Sequence, residues 1–432
     1  MGTPRPRAAL LICAWLATPA AASTFTARGY VAAVMAASPS VRAAEKVFAQ
    51  QQDVYRAAVL DAALPTASLS LSNTLYDDET RRFRLRRSET ASNLSARWNL
   101  YDSTDSPYSK VRRARLDYDF ARLTYLTARQ SEALKALTRF YALVSAQQRV
   151  VTAQVNLTSR QRQYDDTNEQ YQSGTRSKIE LTTSEGDKLQ SELSVAEAAA
   201  GERKALVSFN ELIDAEPDAP AAVAASTRAP VALGPPAADL ARALDGNYGY
   251  RQLLTSLERT RITSRLAVMG QLPALRVDAS WSKSGLGLIG EPGFHGRNNP
   301  DYSLGAALTV PLGFGGIQNA LRVAGAREAL DAAELAQKNA ARALKTTVLN
   351  AREDIALQAK SLSLLEFQVK AQREAVEELS AEYSQGGAQF LQLDTAQTKL
   401  LDSSNRLIDA ANALDVAIAN YRALLGDAVE EP

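Results

Sequence analysis

Two stretches decide how this sequence folds: WNLYDSTDSPYSKVRRARLDYDFARL, from Trp98 to Leu123, and VPLGFGGIQNALRVAGAREALDAAEL, from Val310 to Leu335. They overlay without a gap at a shift of 212 residues, from 98 to 310, and the same shift carries Tyr171 of YQSGTRSKIEL onto Tyr383 of YSQGGAQFLQL. Equal spacing over that distance marks an internal repeat, which has to be settled before any local reading. Further upstream, LPTASLSLS at Leu64 matches LPALRVDAS at Leu272 with a shift of 208. The second copy is therefore longer in between, and the extra residues belong in a loop. The repeat divides the chain into a first copy over 23–214, a Pro/Ala-rich linker over 215–238, a second copy over 239–427 and a short tail over 428–432.

Within each copy the hydrophobic period changes from two to about three and a half, which separates strand from helix. Leu69 and Leu71 alternate with Ser68, Ser70 and Ser72, and Leu94, Ala96, Trp98 and Leu100 alternate with Asn93, Ser95, Arg97 and Asn99. In the second copy Leu275, Val277, Ala279 and Trp281 alternate with Arg276, Asp278, Ser280 and Ser282, and Leu304, Ala306, Leu308 and Val310 with Ser303, Gly305, Ala307 and Thr309. These runs predict strands over about 65–76, 91–101, 273–283 and 301–311, each close to the ~9–11 residues of a tilted membrane strand. Four strands are too few to close a barrel, and open edges cannot sit in lipid. Strands that span a membrane here must be completed by other subunits.

Each strand pair is followed by a long helical pattern, from about Ser109 to Gln172 and from about Gln318 to Ser384, long enough to extend roughly 100 Å. Leu116, Leu123, Leu137, Val144 and Val151 share one heptad position and Phe120, Leu134, Tyr141 and Val155 another. Val348, Ile355, Leu362, Val369 and Val376 repeat every seventh residue, flanked by Leu344, Ala351, Leu365 and Leu379. This is the seam of a left-handed coiled coil. Glycines at Gly174 and Gly386 end the long helices, and a return stripe follows in each copy: Leu189, Leu193 and Ala196, then Leu400, Leu407, Leu414 and Tyr421. The expectation is two antiparallel helical hairpins, over about 106–214 and 316–426.

Composition narrows the function. The chain has 432 residues, with 49 basic and 48 acidic side chains for a net charge of +1. That balance argues against a nucleic-acid binder. One Cys and one His leave no Cys/His metal site and no intrachain disulfide. His295 lies in GEPGFHGRNNP, a Gly/Pro-rich stretch read as a loop. No nucleophile or paired-carboxylate motif stands apart from the helical repeats, so no catalytic residue, metal or cofactor is assigned. Residues 1–22 have a basic start at Arg5 and Arg7, an apolar run from Ala8 to Ala17 and the small-residue end PAAAS, the pattern of a cleaved secretory signal. Cys13 falls inside the apolar run and is discarded with it. No later stretch reaches the ~20 apolar residues of a transmembrane helix.

An exported chain with a duplicated order of helix, strand hairpin, long helix, glycine turn and return helix resembles the outer-membrane efflux protein family, the TolC-like channels. The likeness rests on the LP-strand starts at Pro65 and Pro273, the strand-to-helix junctions WNLYDS and VPLGFGG, and the turns YQSGT and YSQGG. It implies a mainly α fold with a membrane β-barrel, in which three copies contribute four strands each and their helices continue the barrel as a periplasmic tunnel. It further implies an exit duct of a tripartite efflux or type I secretion system in the outer membrane. Its partners would be outer-membrane lipid, a periplasmic adaptor and an inner-membrane transporter.

In that family the hairpin tips meet the adaptor, which assigns the contact to Gly174, Thr175, Arg176 and Ser177 and to Gly386, Gly387, Ala388 and Gln389. Acidic residues often ring the entrance just beyond the second tip. Here those positions hold Gln392 and Thr395 with Asp394 between them, and Glu180 follows the first tip, so Glu180, Gln392 and Asp394 are the tunnel-entrance candidates. Arg82, Arg84 and Arg86, in DDETRRFRLRR from Asp77, are candidates for the outer mouth, against lipopolysaccharide phosphates or as an anion-favouring rim. A coiled-coil adaptor without a pore is the competing class, and it has no need of lipid-facing alternation in strands.

Overall fold

The computed structural model describes residues 24–74, 89–102, 106–224, 233–286, 295–296, 301–310 and 314–427. The signal segment, the tail and Arg82, Arg84 and Arg86 lie outside the described residues. The first half runs β1 (Thr24–Phe25), α1 (Ala27–Ala37), α2 (Pro39–Ala63), β2 (Thr66–Thr74), β3 (Glu89–Asp102), α3 (Pro107–Gln172) and α4 (Lys178–Leu212). The second runs β4 (Ala222–Val223), α5 (Pro236–Gly246), α6 (Tyr248–Met269), β5 (Ala274–Leu286), β6 (His295–Gly296), β7 (Asp301–Thr309), α7 (Phe314–Ser384) and α8 (Phe390–Leu425). The fold is mainly helical with a small sheet. No described helix is long and apolar enough to cross a membrane.

The long helices start where the sequence supplies both a cap and a fixed φ. Ser106 accepts a hydrogen bond from the Ser109 amide at 3.2 Å with Pro107 at the first helical position, and Ser38 with Pro39 does the same for α2. The 66 residues of α3 and 71 of α7 give rods of roughly 100 Å. The stripe Val348, Ile355, Leu362, Val369 and Val376 is buried, and Tyr383 extends it by one more heptad. In α3 the seam differs from expectation. Val151 and Val155 are exposed, and the buried positions below Leu143 are Ala153, Arg160, Gln163 and Thr167. In α4, Leu189 and Leu193 are likewise exposed, and Ser184 and Ser191 face inward. Small and polar residues therefore carry the inward faces of α3 and α4 at this level, and the leucines are left on the outside.

The four long strands form one antiparallel sheet in the order β2-β3-β5-β7, leaving β2 and β7 as its edges. Directly paired residues share a face, so the register sorts the two sides. Leu69 faces Leu94, Ala96 faces Trp281, Trp98 faces Ala279, Leu275 faces Leu308 and Trp281 faces Tyr302. The opposite face carries Ser68 and Ser95, with hydroxyls 2.9 Å apart, and Ser280 and Ser303, 2.6 Å apart. The apolar face is open: Leu304 is 74% exposed and Tyr302 77%. One register shift departs from simple alternation. Between Asn99 and Tyr101 the β3–β5 ladder bulges, making Leu100 the extra residue and setting Tyr101, rather than Leu100, opposite Val277.

Three two-residue strands accompany these four. β1 pairs in parallel with β4, through Thr24–Ala222 and Phe25–Val223, so part of the Pro/Ala-rich segment is tied into the fold. His295 and Gly296, read from sequence as loop, pair with Leu286 and Gly285. Beside β1, Tyr30 stacks on Phe209 with ring centroids 3.8 Å apart and donates its hydroxyl to the Phe209 carbonyl at 2.8 Å, with Phe25 and Phe140 against them. A second core joins α5, α7 and α8 around Val348, Ile355 and Leu414. There Arg352 and the Tyr421 hydroxyl both meet the buried Asp239 carboxylate.

Candidate functional site

At the far end of the hairpins from the sheet, both turns end a helix the same way. Gly174 and Gly386 adopt φ of +79° and +80°. The Gly174 amide donates to the Tyr171 carbonyl at 3.0 Å and the Thr175 amide to that of Gln170 at 2.9 Å; Gly386 and Gly387 repeat this on Tyr383 and Glu382. These are Schellman closures, which satisfy the last helical carbonyls and require a residue tolerant of positive φ. The return helix α4 begins with a capping box. Glu180 accepts from the Ser177 amide at 3.1 Å while Ser177 accepts from the Glu180 amide at 3.3 Å. In the other hairpin Gln392 accepts from the Gln389 amide at 3.4 Å.

Arg176 ties the tips together. Its Nε donates to Gln170 at 2.9 Å, one terminal nitrogen donates to Glu180 at 3.3 Å, and the other reaches across to the Ala388 carbonyl at 3.0 Å. The guanidinium lies 4.7 Å from the centre of the Tyr383 ring. Tyr383 is fully buried, shares a 2.8 Å hydrogen bond with the Thr167 hydroxyl, and accepts from Gln170 on its carbonyl at 3.0 Å. Burial pushes the Tyr383 hydroxyl above its usual range. The Ser177 amide, followed by the Ser177 hydroxyl and Arg176, holds Glu180 below the usual carboxylate range, against a smaller opposing effect of burial.

Deeper along the hairpins is a polar layer that joins three helices. The Arg160 side chain, 8% exposed, donates to Asp394 of α8 at 2.6 Å, to Thr398 at 3.0 Å and to Gln163 at 3.2 Å, and lies 3.7 Å from Asp187 of α4. Two carboxylates thus share one buried guanidinium. Burial raises Asp187, Arg160 draws it back and the Asp394 charge raises it again, for a net upward shift. One Asp187 oxygen, the Gln163 amide nitrogen and the Gln397 amide oxygen are buried without a hydrogen-bond partner among the described residues.

The residues singled out in the sequence fall into two sets. Gly174, Thr175, Ser177, Gly386, Gly387, Gln389 and Gln392 form an exposed surface at the tips. Arg176, Ala388, Glu180 and Asp394 are engaged within the chain, Ala388 buried and the other three in the contacts just described. Sequence reading missed Arg160, Thr167 and Tyr383 as a group. The signal was present, since Ala153, Arg160 and Thr167 recur every seventh residue, as do Asn156, Gln163 and Gln170.

The described residues thus form a four-stranded sheet with one open apolar face, carried on two rod-like helical hairpins. The same fold occurs in solved outer-membrane channels. OprN superposes with a TM-score of 0.76 at 17% identity, covering 94% of this chain and 90% of that one. VceC from Vibrio cholerae gives 0.71 at 16%, covering 93% and 96%. The open state of MtrE from Neisseria gonorrhoeae gives 0.74 at 15%, covering 93% and 89%. No curated protein sequence matches significantly. Residues 242–427 match the model of the family described as outer membrane efflux protein, in agreement with the resemblance read from the strand junctions and turns.

Proposed function

We propose that the chain is one subunit of a homotrimeric outer-membrane exit duct, exported by a cleaved signal, that passively conducts solutes delivered by an inner-membrane transporter and a periplasmic adaptor. The observation that carries this is the sheet. Its apolar face suits lipid, its serine-rich face suits water, and its two edges, β2 and β7, run in opposite directions. Edge β7 of one copy can therefore pair antiparallel with β2 of the next. Three copies supply twelve long strands, an even number that closes without a free edge. The duplicated halves then alternate around one wall, and the hairpins extend it into the periplasm.

The exposed tip residues Gly174, Thr175, Ser177, Gly386, Gly387 and Gln389 are the surface offered to the adaptor, with Arg176 and Ala388 holding that surface in shape. Gln392 and Asp394 stand next to it, Asp394 with its charge already paired to Arg160. An adaptor-like scaffold would have no use for nine- to fourteen-residue strands with an exposed apolar face. Reconstitution of the purified protein in planar bilayers tests the reading. Discrete ohmic conductance is expected, and its absence, or recovery of the mature protein in the soluble periplasmic fraction, refutes it.

A further inference from the structure

The polar face of the sheet carries charged side chains at Arg97 and Asp102 on β3, Arg276 and Asp278 on β5, and Asp301 on β7. Four are engaged. Arg276 lies 3.6 Å from Asp278 and is paired in register with Asp102, and Asp102 and Asp301 each have interactions of their own. Arg97 differs. It is exposed, and no described carboxylate is within ion-pair distance of it. Its register neighbours are Thr66 on β2 and Ser280 on β5, with Ser303 beyond, so it stands in a collar of hydroxyls. It sits near the middle of β3, with Asp301 one step outward at the level of Ser282 and Ser95, and Asp278 one step inward at the level of Asn99.

We propose that Arg97 forms an anion-favouring ring in the duct, which selects small carboxylate- or phosphate-bearing solutes over cations. The inference rests on the trimeric duct reading above, since only threefold repetition converts one side chain into a ring. Twelve strands at a spacing of about 4.8 Å and a tilt of about 40° close a wall about 24 Å across. An arginine reaches roughly 6–7 Å inward from it, so three guanidiniums leave an opening of about 10 Å. At about 0.1 M salt the Debye length is also about 10 Å, and the field of the ring covers the whole opening; at about 1 M it shrinks to about 3 Å and the centre is screened. Charged rings of this kind set the sign of the ion that passes.

Reversal potentials of the full-length protein in planar bilayers, measured across a KCl gradient, test the ring. At low salt Arg97→Gln is expected to lower the chloride-over-potassium permeability ratio by about twofold or more, while Arg97→Lys holds it near the wild-type value. A conducting Arg97→Gln channel with an unchanged ratio overturns the ring and leaves the duct standing. A wild-type protein that never conducts overturns the duct, and the ring with it. The wild type alone gives a second measurement in case the glutamine variant fails to assemble: raising KCl from about 0.1 M to about 1 M must move its ratio toward that of free KCl, and a salt-independent ratio refutes the proposal.

Discussion

The Arg176 guanidinium rests 4.7 Å from the ring centre of Tyr383, a residue of the other hairpin, and donates to the Ala388 carbonyl beside it. One side chain therefore couples two tips that are more than two hundred positions apart in sequence. Arg176→Ala removes the cation–π contact and leaves the Ala388 carbonyl without its donor. The expected loss is about 1–2 kcal/mol of local stability, or about a tenfold rise in amide hydrogen exchange over residues 383–393. Exchange in the aromatic core around Tyr30 and Phe209 should not change. Equal acceleration in both regions would show that Arg176 acts on global stability rather than on the tip junction.

Three glycines share positive φ but not surroundings. A Cβ on Gly174 or Gly386 would meet nothing within 4 Å, whereas one on Gly426 would come within 2.2 Å of the Gly246 carbonyl oxygen. Alanine at Gly174 or Gly386 therefore costs only the left-handed backbone term, about 1–2 kcal/mol. Alanine at Gly426 adds a backbone collision where α8 ends against α5, and Gly246→Ala meets the same obstacle from the other side, at 2.3 Å from the Leu425 carbonyl oxygen. Thermal unfolding followed by circular dichroism should rank Gly426→Ala and Gly246→Ala well below the two tip variants. A flat ranking would refute the close contact.

Two carboxyls near the tips respond to pH with opposite sign. Glu180 is held below its ordinary range by its hydrogen bonds, so its contribution is present above the usual carboxylate range and disappears as pH falls through the lowered value. Asp187 is raised, chiefly by burial, so the native state binds its proton more tightly than the unfolded chain does. Stability from this group falls as pH rises from the ordinary carboxylate value through the raised one. Asp187→Asn should remove that decline, and Asp394→Asn should shift it to lower pH by taking away the like charge, whereas Glu180→Gln should weaken the protein only above the usual carboxylate range. Denaturation midpoints across the acid range would decide; a decline that persists in Asp187→Asn assigns it to another group.

The parts of this architecture that were legible in sequence are those with a period. The stripe from Val348 to Val376 could be read because a seven-residue apolar repeat has no other economical explanation, and the strands because serine alternates with leucine. Where polar or small residues carry the period, apolarity does not reveal it. Arg160 and Thr167 continue a heptad in α3 without apolarity, and Ser184 and Ser191 do so in α4, which left the exposed Leu189 and Leu193 as the visible stripe. The bulge at Leu100 leaves no mark in composition. The pairing of Phe25 with Val223 involves strands too short to have any period at all.

The exposed leucines of α4 have counterparts on α7. On α4, Ile179 and Leu193 are 78% and 52% exposed and lie two heptads apart, with Leu189 beside them; on α7, Leu357, Leu364 and Phe367 form a second open stripe. Large apolar side chains repeating along a rod are costly to leave in water, at about 1.5–3 kcal/mol for each one buried. In a trimer each such position would be covered once per copy, at three equivalent seams. Leu193→Asp and Phe367→Asp touch little within one chain, so as surface changes they should alter its own stability by no more than about 0.5 kcal/mol. At a seam, the same substitutions should convert trimer to monomer in detergent while helical content is retained. Native mass spectrometry distinguishes the two results: a wild-type monomer refutes the trimer itself, and variants that stay trimeric at wild-type concentrations remove these two stripes from the seam.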